Sequence, residues 1–186
     1  KLPGQKLKEV DTVPYGCYPK EVFERIGYFD EELIRNQDDE FNARLRKSGG
    51  KIYLIPDIKI EYFARPDLKS ISKMFYGYGL YKPLVNFKTG RIISVRQLVP
   101  LFFMLYLMFL LLIVLLRPSF VFPCLIILGI YFILSLSVSL FIALHSKDLR
   151  ILFWLPVVFL VIHISYGSGY LQGLLRFFFR RNKVSG

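Results

Sequence analysis

Apolar and polar positions divide this chain near residue 98. Beyond that point lie three apolar runs, about Leu98–Leu116, Val121–Leu144 and Ile151–Leu175. Each supplies the roughly 20 residues that a bilayer-crossing helix needs. Ahead of it the pattern is that of a polar lobe. Lys1–Val10 reads as a linker or the frayed end of a larger domain, and Asp11–Gly16 as a short strand running into a turn at Pro14 and Gly16. Pro19 suits the first position of a helix carrying Val22, Phe23 and Ile26 and ended by Gly27, and Asp30 suits the cap of the following turn. Phe41 and Leu45 lie one turn apart in a second short helix closed by Gly49-Gly50. Two strands, 51–55 and 58–62, follow around Pro56-Asp57. From Leu68 to Tyr81 the residues Leu68, Ile71, Met74, Phe75 and Tyr78 recur at helical spacing among Lys69, Lys73 and Lys82. That is an amphipathic, basic helix suited to the headgroup plane, and the same stripe would equally serve packing on the lobe.

The pattern predicts an α/β lobe at 1–65, an amphipathic interfacial helix and linker at 66–97, and an all-α membrane region of about three helices at 98–186. A lobe of about 65 residues buries too little surface to stand comfortably alone, which points to a missing partner half. The chain opens on Lys1 with no leader pattern, so it is expected to be a fragment of a longer protein.

Composition excludes a single soluble globule: 54% of the 186 residues are hydrophobic and 17% aromatic, and they crowd into one half. Between Leu98 and Gly186 the only acidic residue is Asp148. The formal charge of +11 does not make a nucleic-acid surface, because the basic residues flank the apolar runs, where they orient spans and meet anionic headgroups. Lys82, Lys88, Arg91 and Arg96 precede the first run, which places the lobe in the cytoplasm. Three crossings would then put Arg176, Arg180, Arg181 and Lys183 on the opposite side, against the same bias. Cys17 and Cys124 have neither metal-ligand nor disulfide spacing. Ser165, Gly169 and Gly173 form a small-residue face for close helix packing, and His163 suits a hydrogen bond to a neighbouring helix.

The chemistry concentrates in Arg35-Asn36-Gln37-Asp38-Asp39-Glu40. Three carboxylates at a helix start suit the macrodipole, so Asp38 as a simple N-cap is one reading. A catalytic carboxylate is the other. Crowding by Asp39 and Glu40 raises the proton affinity of Asp38 and the helix N-terminus lowers it, and the sequence leaves the balance open.

Taken in order, Val10–Cys17, Glu21-Val22-Phe23, Ile26–Glu31, Arg35–Glu40, Arg44-Leu45, Gly50–Leu54, Tyr78–Lys82, Arg96–Pro100 and His163–Gly167 resemble the second half of the catalytic domain of family 2 glycosyltransferases. The nearest likeness is to the membrane-attached, succinoglycan-synthesis type of bacterial enzyme. The resemblance implies a GT-A-like catalytic half with Asp38 as general base of an inverting transfer. It implies Tyr15, Gly16, Gln37, Asp39, Arg44, Tyr81 and Lys82 on the substrate side. Where processive relatives carry a glutamine-arginine-tryptophan signature this chain has Lys73, Met74 and Tyr81, which favours addition of a single sugar. The implied partners are a nucleotide-sugar donor, a lipid-linked or polysaccharide acceptor and membrane lipids, at the plasma (inner) membrane, with no nucleic acid. A divalent metal, Mg or Mn, is expected for the full-length enzyme, with its ligands outside this chain; no residue here matches the nucleotide-binding half, so the isolated fragment is expected to be inactive. The alternative is a non-catalytic membrane anchor or assembly subunit with a lipid-binding interfacial helix.

Overall fold

The computed structural model describes residues 7–13, 15–55, 58–90, 92 and 95–184, with side chains to Phe177. The expectations that fall on residues 1–6, Pro14, Pro56-Asp57, Arg91 and the side chains of Arg180, Arg181 and Lys183 lie outside them. Among the described residues six α-helices and one strand pair form: β1 (Lys8–Glu9), α1 (Lys20–Ile26), α2 (Gln37–Lys47), β2 (Tyr53–Leu54), α3 (Leu68–Thr89), α4 (Val99–Leu116), α5 (Val121–Ser146) and α6 (Arg150–Val184), with short 3-10 turns at Val95–Leu98 and Pro118–Phe120.

The lobe is more helical than the sequence pattern predicts. β1 pairs antiparallel with β2, with Lys8 opposite Leu54 and Glu9 opposite Tyr53, and among the described residues this two-stranded pair is the only sheet. Among the described residues of 11–16 and 58–62, where the pattern predicts strands, no strand forms. Ile58, Ile60 and Tyr62 are exposed, and a strand without a ladder partner leaves its N–H and C=O groups to water. An extensive α/β half is therefore not evident. Helix α1 begins behind Pro19 and stops at Gly27, whose φ of 81° needs a residue without Cβ. Gly49, at φ 83°, ends α2 with the Gly50 N–H bonded back to the Leu45 carbonyl at 3.0 Å, the Schellman closure. An aromatic cluster holds α1 against α2. The Phe41 ring, fully buried, lies 4.6 Å from Phe29, 4.8 Å from Tyr18 and 5.2 Å from Phe23 between centroids.

Helix α3 is longer than its stripe predicts and is not confined to one surface. Asp67 caps it, accepting from the Ser70 N–H and hydroxyl, both at 2.8 Å. The helix then runs through Pro83 to Thr89. It lies side by side with α6 and parallel to it. Ser72 meets Ser165 at 2.8 Å between hydroxyls, Tyr76 meets Gly169, and Leu80 meets Gly173. These are the small residues at four-residue spacing that the sequence singles out. Side chains there would hold the helices apart, whereas glycines let the two backbones touch.

Helices α4, α5 and α6 are each long and apolar enough to cross a membrane, and the large apolar side chains of α4 and α5 are mostly exposed, as lipid-facing surfaces must be. The α5–α6 turn, Lys147–Leu149, is three residues long, which sets these helices as a hairpin. His163 sits in a layer common to all three. Its Nδ1 donates to the Phe159 carbonyl at 2.8 Å, Tyr131 of α5 is 3.5 Å away, and the Phe103 ring of α4 is 5.6 Å away between centroids. Gly167 admits the backbone of α4 at Pro100.

The far end of α6 returns to the lobe. Leu33, Leu84, Val85 and Phe177 form one buried cluster, so Arg176 lies beside the lobe. The α5–α6 turn lies about 40 Å away along the helix, at ~1.5 Å per residue. Arg176 thus stands on the lobe's end of α6.

Candidate active site

The acidic run opens α2, and packing gives its three carboxylates different surroundings. The helix is entered through Asn36 at φ 61°, a left-handed conformation that asparagine tolerates better than most residues. Asn36 Nδ2 donates to the Tyr78 carbonyl of α3 at 3.0 Å. Asn36 is therefore the cap position, and Asp38 is the second residue of the helix instead of its N-cap. Glu40, 7% exposed, is held by Arg44, which donates through Nε at 3.0 Å and Nη2 at 2.8 Å. The same guanidinium donates to the carbonyls of Ile26 and, at 2.9 Å, Tyr28, and so fastens the end of α1. Asp39 pairs with Lys82 of α3 and accepts from the Thr12 hydroxyl at 3.3 Å.

Asp38 faces a cleft of about 770 Å3 at the junction of lobe and α3 and is the one carboxylate among the described residues that line it. Gln37, Tyr15 and Gly16 line it too, together with Tyr18, Arg35 and Tyr78. Burial, and after it the neighbouring Asp39 charge, push the Asp38 carboxyl above its ordinary value, while the N–H groups of Asp39 and Asp38 and the Lys82 charge pull down without prevailing. Desolvation thus decides the balance that the sequence leaves open.

The cleft residue Tyr18 is held by Asn42, one turn beyond Asp38 and fully buried. It accepts from the Tyr18 hydroxyl at 2.7 Å and donates to the Thr12 hydroxyl at 2.8 Å. These bonds pin Thr12 and Tyr18 against α2. Tyr15 is carried at φ 57°, a left-handed state costing about 1–2 kcal/mol for a non-glycine residue, and stands 70% exposed. Tyr18 folds over Gly16: a Cβ there would lie 2.6 Å from the ring carbon Cζ.

Of the residues expected on the substrate side, Tyr15, Gly16, Gln37 and Asp38 share this cleft. Asp39 and Lys82 are paired to each other beside it. Arg44 is turned to Glu40 and the α1 carbonyls, and the Tyr81 ring packs 6.1 Å from Phe177. Arg35, Asn36 and Tyr78 stand in the motifs read from sequence without an assigned role, and Tyr18 and Asn42 carry none there; the signal available for Asn42 is its four-residue spacing from Asp38. Among the described residues no three His, Cys, Asp or Glu side chains converge to hold a metal ion, and Asp39 and Glu40 are already bound to cations. The divalent metal implied by the resemblance, expected to have its ligands outside this chain, has no ligand set among the described residues. A half-buried carboxylate of raised proton affinity in an open cleft can take a proton from a bound hydroxyl.

Two known proteins bear on this arrangement. Over 76 residues the chain is 40% identical to the dolichyl N-acetyl-alpha-D-glucosaminyl phosphate 3-beta-D-2,3-diacetamido-2,3-dideoxy-beta-D-glucuronosyltransferase of Methanococcus voltae, covering 40% of this chain and 24% of that protein. Over 81 residues it is 30% identical to the succinoglycan biosynthesis protein ExoA of Rhizobium meliloti, covering 44% of this chain and 24% of that protein. The chain thus spans about a quarter of the length of the curated relatives it matches. No protein-family model and no solved structure matches it. The chain resembles glycosyltransferases that include the succinoglycan type.

Proposed function

We propose that this chain is the acceptor-side and membrane portion of an inverting glycosyltransferase that moves one sugar from a nucleotide-sugar donor to a lipid-linked or polysaccharide acceptor. The observation that carries the reading is Asp38: a carboxylate free of any ion pair among the described residues, lining a cleft where the lobe meets α3. In this reading the acceptor enters between Tyr15-Gly16 and Tyr78. Asp38 accepts the proton of its hydroxyl as the oxygen attacks the anomeric carbon, and the sugar–phosphate bond breaks with the nucleotide diphosphate leaving. Asp39 contributes by holding Lys82, and so α3, beside the base. Lobe and cleft lie at the cytoplasmic face of the plasma membrane, and β1, β2 and α2 are the edge of a GT-A-like half whose nucleotide and metal sites lie outside this chain.

The similarity to two glycosyltransferases and the open cleft both favour this over a membrane anchor, which needs no unpaired carboxylate in a cleft. The test is transfer of radiolabel from nucleotide sugars to the lipid-extractable or polymer fraction of membranes containing the full-length protein. Label above that of membranes lacking it is expected. Equal label across a panel of donors refutes the reading.

A further inference from the structure

The cleft also holds a cation without an anion. Around the lobe–α3 junction Arg44, Lys82 and Lys88 each bind a carboxylate. Arg35, which lines the cleft three residues before Asp38, has no such partner among the described residues. It is nonetheless held in place. Its guanidinium lies over the Tyr78 ring, 5.7 Å from the centroid, and its stem runs along Gly77, where a Cβ would stand 3.7 Å from Arg35 Cγ and 3.8 Å from Nε. The next residue, Asn36, fixes the backbone through its bond to the Tyr78 carbonyl. Arg35 is solvent-exposed, and these contacts fix its stem and one face of its guanidinium. An arginine stacked on an aromatic face with its N–H edge unspent is preorganised for a planar or tetrahedral oxyanion.

We propose that Arg35 anchors a phosphate group of the molecule that occupies the cleft, binding two of its oxygens through the guanidinium fork. This rests on the cleft being the substrate site argued above. A ligand whose phosphate sits on Arg35 presents its sugar end to Asp38. The phosphate comes either from a lipid-linked acceptor, for which α3 on α6 provides the adjoining membrane surface, or from the leaving diphosphate of the donor.

The test is binding to the full-length protein in nanodiscs, for wild type, Arg35→Gln, Arg35→Lys and Asp38→Asn. The probes are a polyprenyl phosphate titrated through the lipid phase and uridine diphosphate in solution. Charged hydrogen bonds of ~1.5–3 kcal/mol correspond to a loss of roughly 10- to 150-fold for Arg35→Gln, with Arg35→Lys in between because it keeps charge without the fork. Loss in the lipid arm alone assigns the acceptor phosphate, and loss in the uridine diphosphate arm alone assigns the donor. Thermal unfolding without ligand should not distinguish Arg35→Gln from wild type. Equal binding by Arg35→Gln and wild type, or no binding of either probe by wild type, overturns the proposal. Asp38→Asn should bind both probes, so a failure of Asp38 as the base leaves the Arg35 result standing on its own.

Discussion

Replacing Gly169 by alanine distinguishes two roles for the glycines of α6. In an exposed helix interior alanine is favoured over glycine by about 1 kcal/mol, so if Gly169 were only a tolerated weakness the variant would be stabilised. The structure predicts the opposite sign. A Cβ on Gly169 would clash with the Tyr76 carbonyl oxygen and lie 3.1 Å from the Tyr76 carbonyl carbon and the Leu80 nitrogen, against ~3.5–4.0 Å for unstrained carbon contacts. These are backbone atoms of a helix and cannot rotate aside, so α3 must move off α6 by about 0.5–1 Å. Overpacking of this kind costs ~1–3 kcal/mol, and with no side chain free to yield the upper end applies, leaving a net loss of about 2 kcal/mol after the propensity gain. The displaced helix carries Tyr78 and Lys82, so turnover should fall by up to ~100-fold, the effect of a misplacement near 1 Å. Gly129 on α5, whose Cβ position is open, is the control: Gly129→Ala should be as stable as wild type or more so, with unchanged turnover. Thermal unfolding in detergent and sugar transfer in membranes read both quantities. A Gly169→Ala protein that melts with Gly129→Ala and transfers at the wild-type rate refutes the backbone contact as a determinant of the site.

Two further outcomes follow from the ion pairs. Lys82→Met removes a charge that lowers the proton affinity of Asp38 and leaves Asp39 unpaired, so the acid limb of the pH profile of kcat/KM should move to higher pH, and Lys82→Arg should restore it; an unmoved limb would separate Lys82 from the base. At Asp30 burial works against the charge, but Lys88 and the Glu32 N–H outweigh it and hold the carboxyl below its ordinary value, while Lys88 is raised in turn. A carboxylate lowered in the folded state stabilises it above its unfolded pKa, about 3.9, and loses that effect as pH falls through the folded value. The difference in melting temperature between wild type and Lys88→Met should therefore be constant near neutrality and shrink only below about pH 4. A difference that shrinks already between pH 7 and 5 contradicts the assignment.

The parts legible in the sequence are those written in local pattern. Three apolar runs gave three membrane-capable helices, Ser165, Gly169 and Gly173 gave a close-packed face, and Gly27 and Gly49 ended their helices. Misread elements depended on distant partners. The run 58–62 has the composition of a strand but no ladder to join, and the 68–81 stripe does not reveal that α3 continues through Pro83 and lies along α6. At the site, Tyr15, Gly16, Gln37 and Asp38 share a cleft, whereas the Arg44 side chain meets Glu40 and the Tyr81 ring meets Phe177, contacts that only the folded chain brings together. Whether carboxylate crowding or the helix N-terminus governs Asp38 was likewise illegible, because the largest effect is burial, and desolvation is a property of the assembled junction.

The central claim is that Asp38 removes the acceptor's proton, and single-turnover transfer by the full-length Asp38→Asn enzyme with saturating donor tests it most directly. The side chain keeps its shape and loses its basicity, so the rate should fall on the order of 10²–10⁴-fold while binding of the donor is retained. Transfer within a few-fold of wild type would remove Asp38 from catalysis and with it this account of the cleft.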